Sequence, residues 1–133
     1  MGGLFDSTLG GLHQVLDLRS QQHALTATNL ANADTPGFRA KHLDFEHALS
    51  DAMDRGARVG MQRTEVRHLD GGGPLDAPIQ ELEPSPWATD DNSVLPEREM
   101  ARLQENALMY RAVSTGLSKK LALLKFAASD GRG

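Results

Sequence analysis

Apolar residues recur at helical spacing at the two ends of the chain and lose that rhythm between them. From Leu4 to Asn32, the residues Leu9, Leu12, Leu16 and Leu30 fall in one register of alternating three and four steps, which predicts an amphipathic helix. Asp6 or Ser7 is placed to cap its start. Arg19, His23 and Thr26 interrupt that register, while Val15, Leu18, Ala24, Leu25 and Ala27 lie beside it. Polar interruptions of this kind specify a particular neighbour at some cost in stability, or face a wet groove.

The last segment is more regular. Met100, Leu103, Ala107, Tyr110, Ser114, Leu117, Leu121, Leu124 and Ala128 keep a three-four repeat. Pro96 suits the first turn of such a helix, with Glu97 and Glu99 near its start and Lys119, Lys120 and Lys125 towards its end, matching the macrodipole. Its length is roughly 50 Å at about 1.5 Å per residue. Leu108, Met109, Leu123 and Phe126 lie off the seam, so a single facing helix does not cover this one.

The middle differs in kind. Leu43 to Arg55 predicts a short helix with Phe45, Leu49, Ala52 and Met53 on one face. Gly71, Gly72, Gly73, Pro74, Pro78, Pro84 and Pro86 then rule out a regular helix, and Thr64–Leu69 and Ala77–Leu82 are candidate short strands. Trp87 is the lone large aromatic there, read either as an anchor or as a local pin. The organisation expected is mainly α in one structural unit: an N-terminal helix and turn motif over 1–39, an irregular middle over 40–95 read as a projecting or lateral-contact segment, and a C-terminal helix over 96–133.

Between the first helix and the middle stands an abrupt stop, Asn29-Leu30-Ala31-Asn32-Ala33-Asp34-Thr35-Pro36-Gly37-Phe38. Asn32 is suited to end a helix because asparagine tolerates the left-handed conformation. Pro36 denies the α region to Thr35, and Pro36-Gly37 fits the central pair of a type II turn, where the second residue needs positive φ. Phe38 resumes the chain with something to bury. The string is more elaborate than a plain capped helix end requires.

Composition narrows the function. The 133 residues are 39% apolar and 5% aromatic, which makes a dense private core hard to build and oligomeric burial attractive. Net charge is −4, divided as −1 over 1–39, −6 over 40–95 and +3 over 96–133. Asp70, Asp76, Glu81, Glu83, Asp90 and Asp91 follow one another without a Lys or Arg, which disfavours a phosphate backbone as partner. Nucleic acid is therefore not expected. There is no cysteine, no stretch suited to span a membrane, and no basic-then-apolar signal in Met1 to Gly11. If the chain leaves the cytoplasm, its route is expected not to use a cleaved signal peptide.

Catalytic chemistry is weakly represented. His42, Asp44, Glu46 and His47 are the richest cluster of ligand types, but histidines five apart on a helix diverge. Gly71 to Gly73 lack the Lys-Ser/Thr of a phosphate loop. Serines and histidines are too scattered to mark a nucleophile and its base. No cofactor, metal or enzymatic activity is expected.

The ten-residue stop after an N-terminal helix, with a heptad helix last, resembles the signature of the bacterial flagellar rod, hook and hook-associated axial proteins. The small size, the continuation Arg39-Ala40-Lys41-His42-Leu43-Asp44-Phe45, and the later Asn92-Ser93-Val94, Glu97-Arg98-Glu99-Met100, Tyr110-Arg111-Ala112 and Leu117-Ser118-Lys119-Lys120 are similar to the proximal rod members of that family. The resemblance covers both ends and adds almost nothing for residues 56–90. It implies a structural subunit that passes unfolded through the flagellar type III export apparatus and polymerises in the periplasm, its terminal helices packing as a coiled-coil-like layer of a helical assembly that transmits torque. Isolated subunits would have poorly ordered ends.

The same resemblance implies as partners copies of the chain itself, other proximal rod proteins, and the membrane-ring and rod-base components. The turn motif would be Asn29, Asn32, Asp34, Thr35, Pro36, Gly37 and Phe38. The assembly interface would be Leu9, Leu12, Leu16, Leu30, Met100, Leu103, Tyr110, Leu117, Leu121, Leu124 and Phe126. A competing reading from another class is a soluble helical adaptor that binds one partner helix in a groove without polymerising; a cooperatively melting monomer at low concentration would favour it. A metal-dependent hydrolase using His42 and His47 would retain metal through purification.

Overall fold

A computed structural model describes residues 3–59 and 78–129. Their order is helix α1 (Gly3–Ala31), strand β1 (Lys41–Leu43), helix α2 (Phe45–Val59), strand β2 (Ile79–Glu81) and helix α3 (Pro96–Ala128). The protein is mainly helical, with long helices at both ends and an irregular middle carrying two short strands. The expected strand at Thr64–Leu69 and the Gly71–Gly73 turn lie outside the described residues.

α1 begins at Gly3, so the positions of Asp6 and Ser7 fall inside the helix and not before its first turn. At its other end Asn32 does not take up the left-handed conformation; among the described residues Asp91 is the non-glycine with positive φ, at 56°. Instead the Asn32 N–H donates to the Thr28 and Asn29 carbonyls, and its side-chain amide donates to Thr28 O at 2.8 Å. Satisfying the last carbonyls with a side chain removes the need for a left-handed cap. α3 starts as its sequence suggests, with Leu95 extended at the N-cap and Pro96 in the first turn, where its missing N–H has no partner to lose.

Asp44 caps α2. Its carboxylate accepts from His47 N at 3.2 Å and its carbonyl from Ala48 N at 2.9 Å. α2 folds back on α1 through a small core in which Leu18 is fully buried against Leu43 and Ala48, with Leu25, Phe45 and Leu49 partly buried around them. Burying Leu18 alone contributes about 2 kcal/mol. Ala52 is buried on the same face of α2, whereas Met53 is exposed.

β1 and β2 pair antiparallel, Lys41 opposite Glu81, His42 opposite Gln80 and Leu43 opposite Ile79. The Lys41 ammonium lies 3.4 Å from the Glu81 carboxylate across that pair. α1 and α3 run antiparallel, since Asn29 meets Glu99 while Arg19 meets Asn106. The buried hydrophobic residues are Leu18, Ala40, Leu43, Ala48, Ala52 and Val94, half of them alanines, so the described chain has little apolar core of its own.

Candidate functional site

The string Asn29 to Phe38 forms a joint closed by the returning segment Asp90 to Val94. Thr35, Pro36, Gly37 and Phe38 make a β-turn in which Phe38 N donates to Thr35 O at 3.2 Å and Gly37 has φ 71°. That is the positive φ a type II turn places after proline. The Asn32 carbonyl accepts from Thr35 N, and its side-chain oxygen accepts from the Thr35 hydroxyl at 3.2 Å. Asp34, Thr35, Pro36 and Gly37 are exposed, and Phe38 is half-buried.

Asn92 fills the inside of the joint. Its side-chain amide donates to three carbonyls, Asn32 O at 2.9 Å, Ala33 O at 3.0 Å and Thr35 O at 2.7 Å. Its side-chain oxygen accepts from Val94 N at 2.7 Å. The backbones are laced alongside: Gly37 N to Asp90 O, Ser93 N to Phe38 O, and Leu82 N to Ala40 O. Ser93 Oγ accepts from the fully buried Ala40 N at 2.7 Å. Carbonyls left by the end of α1 thus find donors sixty positions away, as buried backbone groups require.

Asn29 ties the joint to both other layers. Its side-chain oxygen accepts from Lys41 N, and its amide donates to Lys41 O and to Glu99 Oε2, each at 2.9 Å. Glu99, 2% exposed, lies inside α3's covered face. Its Oε1 accepts from His42 Nε2 at 2.8 Å and from Arg102 Nη1 at 3.1 Å. The Arg102 guanidinium also lies on the His42 ring, 3.0 Å from Nδ1 and in contact with Nε2. A buried carboxylate is tolerated because it is paired and hydrogen-bonded on both oxygens.

A second polar rung lies further along the two helices. The Asn106 amide donates to Arg19 O at 2.7 Å, and the Arg19 guanidinium reaches Asn106 Oδ1 at 3.5 Å while stacking 4.0 Å over the Phe45 ring. Burial pushes Arg19 below its ordinary pKa, with the nearby Glu105 charge acting the other way. A cleft of about 200 Å³ opens here between Arg19, Gln22, His42, Phe45, Arg102 and Asn106. Thr26, fully buried, accepts from Gln22. Of the three polar interruptions in the N-terminal seam, Arg19 and Thr26 therefore turn inward and His23 is exposed.

The expected interface residues divide by exposure. Leu9, Leu12, Leu16 and Leu30 on α1, and Leu103, Leu117 and Leu124 on α3, are half-buried. Met100, Tyr110, Leu121 and Phe126 are exposed, as are Leu108, Met109 and Leu123. The face of α3 turned to α1 also carries Glu99 and Asn106, which are buried and which apolar periodicity does not mark. Trp87 is 87% exposed and pins nothing in its own segment.

The ligand-type cluster disperses: His42 joins Glu99, Asp44 caps α2 and accepts from Gln80, and His47 pairs with Asp51 one turn on at 3.4 Å. Among the described residues no group of three or more His, Asp or Glu is placed to hold a metal ion, and no helix is long and apolar enough to cross a membrane. Asn92, Ser93, Glu99 and Asn106 were absent from the expected site. The Asn92-Ser93-Val94 and Glu97-Arg98-Glu99-Met100 strings were the available signals for three of them.

Comparison with curated proteins gives consistent relatives. The chain is 32% identical over 123 residues to the flagellar basal body rod protein FlgB of Escherichia coli (strain K12), covering 87% of this chain and 88% of that protein. It is 33% identical over 120 residues to the FlgB of Cereibacter sphaeroides (strain ATCC 17029 / ATH 2.4.9), covering 89% and 91%. With the FlgB of Proteus mirabilis (strain HI4320) identity is 29% over 133 residues, covering 95% and 96%. No protein-family model matches the chain.

Proposed function

Because the chain belongs to the FlgB family of flagellar basal body rod proteins, it is a component of that rod, and we propose that it polymerises through α1 and α3 into the wall of the proximal rod, where it transmits torque. Its role is structural rather than catalytic. It is exported unfolded through the flagellar type III apparatus and assembles in the periplasm against further copies, other proximal rod proteins and the rod base in the membrane ring.

The observation that carries this reading is the uncovered length of α3. Leu108, Leu123 and Phe126 are 67%, 69% and 62% exposed on the side of α3 opposite the one that α1 occupies. Side chains of this size in a row along one element call for further neighbours. Contacts between unlike faces of identical subunits do not close on themselves, and they generate helical order. The joint supports the same reading, since it fixes the angle at which the middle segment leaves the two-helix layer.

The test is a chain carrying Leu108→Asp and Leu121→Asp. Both positions are exposed, so the single subunit tolerates the change while packing against neighbours does not. The expected result is export of the variant, no rod in purified basal bodies and no swimming. Normal swimming would overturn polymerisation through this helix.

A further inference from the structure

The segment from Pro78 to Leu95 holds a tryptophan that its own chain leaves in water. Trp87 is 87% exposed, and Ile79 and Leu82, also in this segment, are 54% and 38% exposed. A turn fixes this display: Ala88 N donates to Ser85 O at 2.8 Å, and Pro84 and Pro86 restrict the backbone leading into Trp87. A large aromatic held out on a constrained turn loses little freedom when it binds, which is the property of an interface anchor.

The charge around it is one-signed. Residues 78–95 contain Glu81, Glu83, Asp90 and Asp91 and no Lys or Arg. Glu81 and Glu83 are met by Lys41 and Arg39 of the same chain. Asp90 and Asp91 remain on the exposed surface beside the joint.

The opposite pattern occurs at the far end of α3. Residues 115–129 contain Lys119, Lys120 and Lys125 and no Asp or Glu. Lys119, Ala122, Leu123 and Phe126 fall within one stripe at steps of three and four, turned away from the half-buried Leu117 and Leu124. Leu123 and Phe126 are exposed there. Aliphatic and aromatic surface with a lysine at its edge suits an indole, through apolar contact and cation–π attraction.

Within one chain these two surfaces do not meet. The acidic segment is bonded to the joint by Gly37 N to Asp90 O and Ser93 N to Phe38 O, at the start of α3. Lys119 lies along the helix at roughly 35 Å from that start at about 1.5 Å per residue, well beyond the Debye length of about 8 Å. We propose that the Trp87 segment of one copy docks on the Lys119, Leu123 and Phe126 face of α3 in a neighbouring copy. This rests on the assembly reading above, and it names the surfaces that meet.

The chain has no cysteine, so introduced thiols report this contact cleanly. Thr89→Cys and Ala122→Cys chains, each exposed and each leaving Trp87, Leu123 and Phe126 intact, are co-expressed in cells lacking the native chain, and basal bodies are oxidised. The expected product is a disulfide-linked dimer when both chains are present, about tenfold above either chain alone. Rods that form without this cross-link, or that cross-link equally in one single-cysteine strain, overturn the proposed contact while leaving polymerisation intact. Trp87→Ala is the second measurement, expected to cut swimming cells severalfold; full motility in that strain overturns the anchor.

Discussion

Asn29 and Glu99 share a buried hydrogen bond of 2.9 Å across 70 positions of sequence, joining the last turn of α1 to the first turn of α3. The same asparagine side chain pairs with both backbone groups of Lys41. One carboxamide therefore sets the position of α1, β1 and α3 relative to one another. Its place in the motif is explained by three partners that no apolar residue would satisfy.

Asn29→Ala is expected to destabilise the chain by about 2 to 3 kcal/mol, because Lys41 N, Lys41 O and Glu99 lose a partner at a site closed to water. Asn29→Asp is expected to lose more at neutral pH, since it sets a second carboxylate against Glu99. Urea midpoints followed by helical circular dichroism measure both. Equal midpoints for Asn29→Ala and the native chain would show that the buried network contributes nothing.

Asn92 supplies donors to three carbonyls of the joint. Asn92→Asp keeps the shape and the acceptor for Val94 N but turns an acceptor toward those carbonyls, so it is expected to be worse than Asn92→Ala, by about 1 to 3 kcal/mol. Amide exchange at Gly37 and Ser93, whose N–H groups bond across the joint, should accelerate while the middle of α3 stays protected. Unchanged exchange at both amides would remove Asn92 from this role.

A Cβ added at Gly37 meets nothing within 4 Å, so a substitution there is opposed by its φ of 71° and not by crowding. Gly37→Val is expected to strain the turn by about 1 to 2 kcal/mol, and Gly37→Asn by less, because asparagine visits the left-handed region. Rod assembly and swimming should therefore fall in the order glycine, asparagine, valine. A Gly37→Val strain that swims as well as the parent would contradict the turn's importance.

What could be read from the chain alone was local. Pro36-Gly37 marks its turn because proline fixes its own φ and glycine accepts the positive φ that follows without strain, whatever surrounds them. Pro96 likewise marks the start of α3. β1 was missed because Lys41, His42 and Leu43 carry no strand pattern; they are a strand only because Ile79 to Glu81 and Asn29 take up their backbone groups. Asn32 was assigned a left-handed cap on propensity, and its side-chain bond to Thr28 O made that unnecessary.

The sequence by itself determined two long end helices, a sharp joint after the first, and in the middle a short helix followed by a stretch too interrupted for one. These follow from backbone freedom and from apolar spacing, which act within a few residues. Only the tertiary structure decided that Glu99 and Asn106 face α1 while Met100, Tyr110 and Leu121 stay exposed. Periodicity ranks positions by hydrophobicity, whereas a polar side chain is buried when a partner, here Asn29, His42, Arg102 or Arg19, satisfies it from another element. Those partners are distant in the chain, and folding is what brings them within hydrogen-bond reach.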